Sequence, residues 1–165
     1  MPEVSESSEE VFFKWQPEYS VHIRTIDDQH QELVNILNRL FVAVFSHEGA
    51  SAISGILDGL VRYTEIHFEL EERLMRQANY ADFEAHKLEH GKLMQELDRL
   101  CKKCLSEEKP TYFEMLGFLK RWLRGHIQGV DTRYSIALQR TGFSVTAWEQ
   151  EASAEFKAMI EKRLA

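Results

Sequence analysis

Four times along this chain, apolar residues recur at alternating steps of three and four, the spacing that lines one face of an α-helix. The first stripe is Ile26, His30, Leu33, Leu37, Leu40 and Val44, and the second Leu57, Leu60, Thr64, His67, Glu71 and Leu74. Phe83, His86, His90, Leu93, Leu97 and Leu100 form the third, and Tyr112, Met115, Leu119, Leu123, His126 and Val130 the fourth. Sustained two-residue alternation, the mark of a half-buried strand, is nearly absent. The pattern predicts an all-α fold, an antiparallel up-down-up-down four-helix bundle over residues 15–140.

Local signals supplement the stripes. Thr25 with Asp28 reads as a capping box for the first helix, Asp82 or Asn79 as a cap for the third, and Pro110 suits the start of the fourth. Gly49 should lie just past the first helix, and Gly142 near the end of the fourth. A further amphipathic stretch, with Trp148, Ala152, Phe156 and Ile160 on one face, gives an additional C-terminal helix over 141–165, capped by Thr146 and Glu149. Residues 1–14 read as a flexible acidic N-terminal tail, since every residue from Glu3 to Glu10 but Val4 is Glu or Ser.

The 165 residues and 44% apolar content suffice for one domain with a real core. A formal charge of −7 argues against a nucleic-acid partner, because phosphate binding needs a basic face. No apolar run approaches the ~20 residues that span a bilayer, so no membrane partner is expected, and the polar N-terminus does not resemble a secretory leader. Two cysteines, Cys101 and Cys104, cannot build a disulfide framework and read as reduced surface thiols. A cytoplasmic protein is the expectation.

The chemistry sits on the seam. Five of the seven histidines (His30, His67, His86, His90 and His126) fall on bundle-facing positions, whereas His22 and His47 do not. Each buried polar group left without a partner costs about 1–3 kcal/mol. Five of them, with Glu71, would cancel most of a stability of about 5–15 kcal/mol. A metal centre offsets that cost. His67 and Glu71 are four apart, as are His86 and His90, so each pair projects from one helical face.

Imidazoles with carboxylate and no thiolate suit iron, zinc, copper or nickel, and the donors are too many for one tetrahedral zinc. Two metal ions, with iron favoured, are the simplest solution. The Glu-x-x-His pairs of ferritin-like bundles are absent, because Asp27, Thr64, Phe83, Lys87 and Leu123 stand three residues before the five histidines. His86-Lys87-Leu88-Glu89-His90 does match the H-x-x-E-H pattern of inverted zinc peptidases, but that reading leaves His30, His67, Glu71 and His126 without purpose.

Over residues 12–138 the chain resembles the hemerythrins in their single-domain prokaryotic form, the bacteriohemerythrin family. The marks are Trp15; Ile26-Asp27-Asp28-Gln29-His30; His67-Phe68 with Glu71-Glu72 and Leu74-Met75; His86 and His90; and Trp122-Leu123 with His126-Ile127 and Asp131. The resemblance implies a non-haem di-iron centre, oxo- or hydroxo-bridged, that binds O2 reversibly, with NO, azide or peroxide as other small ligands. It implies that His86, His90 and His126 hold one iron, that His30 and His67 hold the other with one position open, and that Glu71 and Asp131 bridge. Phe68, Trp122, Leu123 and Ile127 would line the O2 pocket, and no catalytic residue is implied. Oxygen carriage or storage is the first functional expectation, and an O2- or redox-sensing input signalling through residues 141–165 the alternative. An enzyme consuming O2, peroxide or NO comes third.

Spacing alone does not select Asp131. In a regular helix, five residues past His126 turns a side chain about 140° away. The assignment therefore predicts a local distortion near Gly125–Gly129. Two departures from the family pattern stand out. His22 occupies a usual glycine place; it reads as a solvated loop residue, with an approach to the metal pocket as the alternative. Residues 141–165 extend past the usual end, either to pack back on the bundle, to self-associate or to lead to an output domain. In the acidic run Glu69, Glu71 and Glu72, only Glu71 is expected to turn inward.

Overall fold

The computed structural model describes residues 11–106 and 111–164, except the side chain of Thr111; Pro110 and the first ten residues lie outside this range. The described residues contain no strand. Helix α1 spans Arg24–Phe45, α2 Ala50–Gln77, α3 Phe83–Leu105 and α4 Thr111–His126. A π-helical turn, Ile127–Asp131, continues α4 without a break into α5, Thr132–Thr141. Gly142, with φ +72°, then ends the rod in the left-handed conformation glycine adopts without strain, and α6 runs over Val145–Leu164.

Successive helices pack on one another and α1 closes on α4, giving the four-helix bundle that the stripes predict. Its core is largely leucine, with Leu37, Leu40, Leu74, Leu97 and Leu100 all fully buried. No described helix is long and apolar enough to cross a membrane.

Two of the expected caps are replaced, and a third acts through its backbone. α1 starts with Ile23 at its N-cap, so Thr25 lies inside the first turn and no Thr25–Asp28 box forms. Asp27 instead turns backward, its carboxylate accepting from the Val21 N–H (2.8 Å) and the Ser20 hydroxyl (2.6 Å). The free Thr25 N–H donates to the Glu149 carboxylate of α6 at 2.8 Å. Glu149 is thus spent on another helix. Ser144 caps α6, accepting from the Trp148 N–H at its carbonyl (3.1 Å) and the Ala147 N–H at its hydroxyl (3.4 Å). Asp82 does occupy the α3 N-cap, but it contributes its carbonyl, to the His86 N–H, rather than its side chain.

The N-terminal arm is ordered earlier than the tail boundary at residue 14 implied. Phe13 is buried, and its backbone N–H and C=O pair with the two ends of the Asn38 amide at 2.8 and 2.9 Å. Phe12 stacks on Phe41 with ring centroids 4.6 Å apart. Aromatic burial here outweighs the polarity of the preceding residues.

At the other terminus, α6 packs on α2 and α1 through buried Trp148 and Ala152, and Phe156 meets Tyr63 edge-on. Ion pairs Arg73–Glu155 and Arg163–Glu69 fasten it to α2.

Candidate metal centre

Each helix of the bundle delivers part of one buried cluster. His30 comes from α1, His67 and Glu71 from α2, His86 and His90 from α3, His126 from the end of α4, and Asp131 from the π turn. All seven are buried.

The π turn solves the phase problem at Asp131. Its wider ring bonds the Thr132 N–H to the Ile127 carbonyl, five residues back, so residues five apart lie above one another. The Thr132 hydroxyl donates to the same carbonyl at 2.9 Å. Asp131 Oδ1 consequently lies 3.0 Å from His126 Nε2, and the Asp131 side chain is fully buried rather than facing solvent.

The two carboxylates stand between two sets of histidines. Asp131 reaches His126 (3.0 Å) and His86 (3.2 Å) with Oδ1 and His30 (3.2 Å) with Oδ2. Glu71 Oε2 lies 3.1 Å from His90 Nε2, 3.5 Å from His86 Nε2 and 3.8 Å from His67 Nε2. Each carboxylate therefore touches both the His86, His90, His126 trio and the His30, His67 pair. The donors fall into two overlapping groups able to hold a cation: Glu71, His86, His90, His126 and Asp131, and His30, His67 and Glu71.

Several of these atoms approach without hydrogen-bond geometry. His30 Nε2, His126 Nε2, Glu71 Oε2 and both Asp131 oxygens are buried with no hydrogen-bond partner among the described residues. Orphaned donors and acceptors at this density are unstable by themselves, and cations at their common focus would satisfy them. Nitrogen and carboxylate oxygen in this ratio fit two iron-like ions.

Electrostatics agree. Burial and the mutual repulsion of Glu71 and Asp131 work to protonate them, yet the surrounding histidines hold both carboxyls well below the usual range. Burial pushes the His86 ring down, but Asp131 and Glu71 together overcome it and hold His86 up at about 9. His90 is likewise raised against burial, by Glu71 and Glu72. Burial dominates at His67 and brings it down to about 3. Two ionised carboxylates call for positive charge, which protons or metal ions can supply.

Outside the seven, three residues complete the site. His67 Nδ1–H donates to Gln29 Oε1 at 2.7 Å, His90 Nδ1–H to Glu72 Oε1 at 3.0 Å, and the Tyr134 hydroxyl to Glu71 Oε1 at 2.6 Å. Glu72 is therefore not part of a solvated face. Tyr134 follows Asp131 by three residues on the same helical face, a spacing that could have flagged it.

The four expected pocket residues divide. Phe68 stacks on His90 (centroids 3.6 Å apart) and Trp122 on His126 (4.3 Å), while Ile127 is fully buried. Trp122 and Leu123, with Leu33, Leu37, Leu60 and Leu93, wall an apolar cavity of about 20 Å³; Phe68 and Ile127 do not line it. The one polar side chain on that wall, Thr64, spends its hydroxyl on the Leu60 carbonyl at 2.7 Å. His22 is exposed, with φ +59°, a backbone conformation that explains a glycine preference there. Cys101 and Cys104 form no disulfide and are half-buried rather than superficial. Burial pushes the Cys101 thiol up to about 11, so it stays protonated.

A four-helix bundle enclosing a histidine–carboxylate cluster with two overlapping cation positions defines a dinuclear metal-binding class. Residues 21–135 match the family described as Hemerythrin HHE cation binding domain. The chain belongs to the hemerythrin family. It is 35% identical over 121 residues to the bacteriohemerythrin of Methylococcus capsulatus, covering 73% of this chain and 92% of that protein. The bacteriohemerythrin of Stenotrophomonas maltophilia is also 35% identical over 121 residues, with 78% of it covered. A crystal structure of wild-type hemerythrin superposes with a TM-score of 0.68 at 34% identity, covering 76% of this chain and 97% of that one. The matched family region ends at residue 135, before α6 begins.

Proposed function

We propose that the protein binds O2 reversibly at a non-haem di-iron centre, as a carrier or store. The observation that carries this reading is the pair of fully buried carboxylates, each within reach of both histidine sets. In this reading His86, His90 and His126 would hold one iron, His30 and His67 the other, and Glu71 and Asp131 would supply carboxylate oxygens to both. When bound, the ferrous pair supplies the electrons that make O2 binding reversible. The protein's own groups hold the donors in place and keep water out. Phe68 and Trp122 cover His90 and His126, and the Leu123 cavity offers an apolar approach for a small neutral gas. NO, azide and peroxide are other small ligands of the same site. The half-buried, protonated Cys101 thiol suits a reducing, cytoplasmic setting.

A second reading, an O2- or redox-sensing input, draws on α6. Glu149 caps the helix that carries His30, and Arg73 and Glu69 flank Glu71 on the helix that α6 grips. Optical spectra of the anaerobically reduced, iron-loaded protein before and after air distinguish these readings. A visible band that reverses under vacuum and persists for hours supports a carrier. Rapid decay together with altered protection of α6 supports a sensor. No band with two irons bound refutes O2 binding.

A further inference from the structure

We propose that Gln29 and Glu72 are positioning residues that make the two metal positions electronically unequal, an inference that rests on the di-iron reading. The two contacts are chemically opposite. His67 gives its Nδ1–H to a neutral amide at 2.7 Å, and His90 gives its own to a carboxylate at 3.0 Å. Gln29 is buried on α1 beside His30, and among the described residues its amide nitrogen has no hydrogen-bond partner and His67 is the group that holds the amide. Turning that amide over would set two N–H groups against each other. Glu72, beside Glu71 on α2, has a side chain 16% exposed, and it reaches across to α3.

A histidine that donates to a carboxylate becomes a more basic ligand than one that donates to an amide, because the negative acceptor draws the ring proton away. His90 is therefore the stronger donor, favouring the ferric state of its iron. His67 is the weaker one, favouring the ferrous state at the position left open by its smaller ligand set. Gln29 also fixes the His67 ring from a different helix, tying α1 to α2 beneath that position.

The test is the midpoint potential of the iron-loaded chain, read by spectroelectrochemical titration with iron content and circular-dichroism melting measured alongside. Gln29→Glu keeps the hydrogen bond and strengthens the acceptor, so the potential falls. Gln29→Met removes the acceptor, so it rises. Opposite signs from two variants of similar size cannot come from lost packing. Glu72→Gln, less buried and size-conserving, should raise the potential at the His90 position even if a Gln29 variant folds poorly. Each shift should reach about tenfold in the redox equilibrium, about 59 mV for one electron. Shifts of the same sign for both Gln29 variants, or no shift in Glu72→Gln, overturn the proposal. Failure of wild type to take up iron overturns both this proposal and the di-iron reading. Normal iron uptake with unmoved potentials overturns this proposal alone.

Discussion

Two neighbouring layers of the bundle are built on the same seam positions and behave in opposite ways. One is leucine throughout, with Leu37, Leu60, Leu97 and Leu119 meeting around the small apolar cavity. The other is His30, His67, His86, His90 and His126, threaded by Glu71 and Asp131. Removing the leucine layer from water is favourable in itself, at about 25 cal/mol per Å². The histidine layer costs free energy until something cationic sits in it. The leucine layer thus holds the polar layer in a geometry that it would not adopt by itself.

The largest expected effect breaks the self-sufficient layer. Leu97→Ala should cost about 2–5 kcal/mol in a denaturant titration, with or without metal, because it leaves a cavity in a fully buried site. A loss seen only in the metal-free protein would mean that the layers are not separable.

The pH dependence of the metal-free protein sharpens the contrast from the other side. His67 is held down at about 3, so below its unfolded value near 6.5 the unfolded chain binds more protons and stability falls as pH drops. His86 is held up at about 9, so its contribution is full below 6.5 and is lost as pH rises toward 9. Stability should peak near pH 6.5, with limbs no steeper than about 1.4 kcal/mol per pH unit for each group. Bound iron replaces the His86 proton, so loading should flatten the alkaline limb. Melting curves between pH 4 and 9 check both statements.

Smaller effects belong to the periphery. Glu149→Ala removes the cap on Thr25 and should cost about 1 kcal/mol, with faster amide exchange in the first turn of α1 and in α6. An unchanged exchange pattern would remove α6 from any coupling with the site. His22→Gly should stabilise by about 1 kcal/mol or less by relieving a positive φ, and leave the autoxidation rate as it was, because His22 is exposed. A changed rate would bring His22 back to the pocket.

The helices and the seam were legible because helical period and buried histidines are local patterns, visible in one stretch of chain at a time. Asp131 was not legible in that way. A π turn leaves no periodic trace, and the residue entered through family resemblance until the geometry of Ile127–Asp131 accounted for it. Glu149 escaped for a different reason. Its partner, Thr25, is 124 residues away, and a long-range cap carries no local signal. Glu72 looked solvated because its neighbours are charged, and only the packing of α2 against α3 turns it to His90.

The central claim is tested most directly by titrating the metal-free chain with ferrous iron under anaerobic conditions, following bound iron and melting temperature together. The expected endpoint is two irons per chain, with stabilisation of about 2.7 kcal/mol for each iron once free iron exceeds its Kd a hundredfold, a rise of roughly 5–10 °C per iron. An endpoint at one iron, or uptake that leaves the melting temperature unmoved, would contradict a dinuclear centre built from these seven residues.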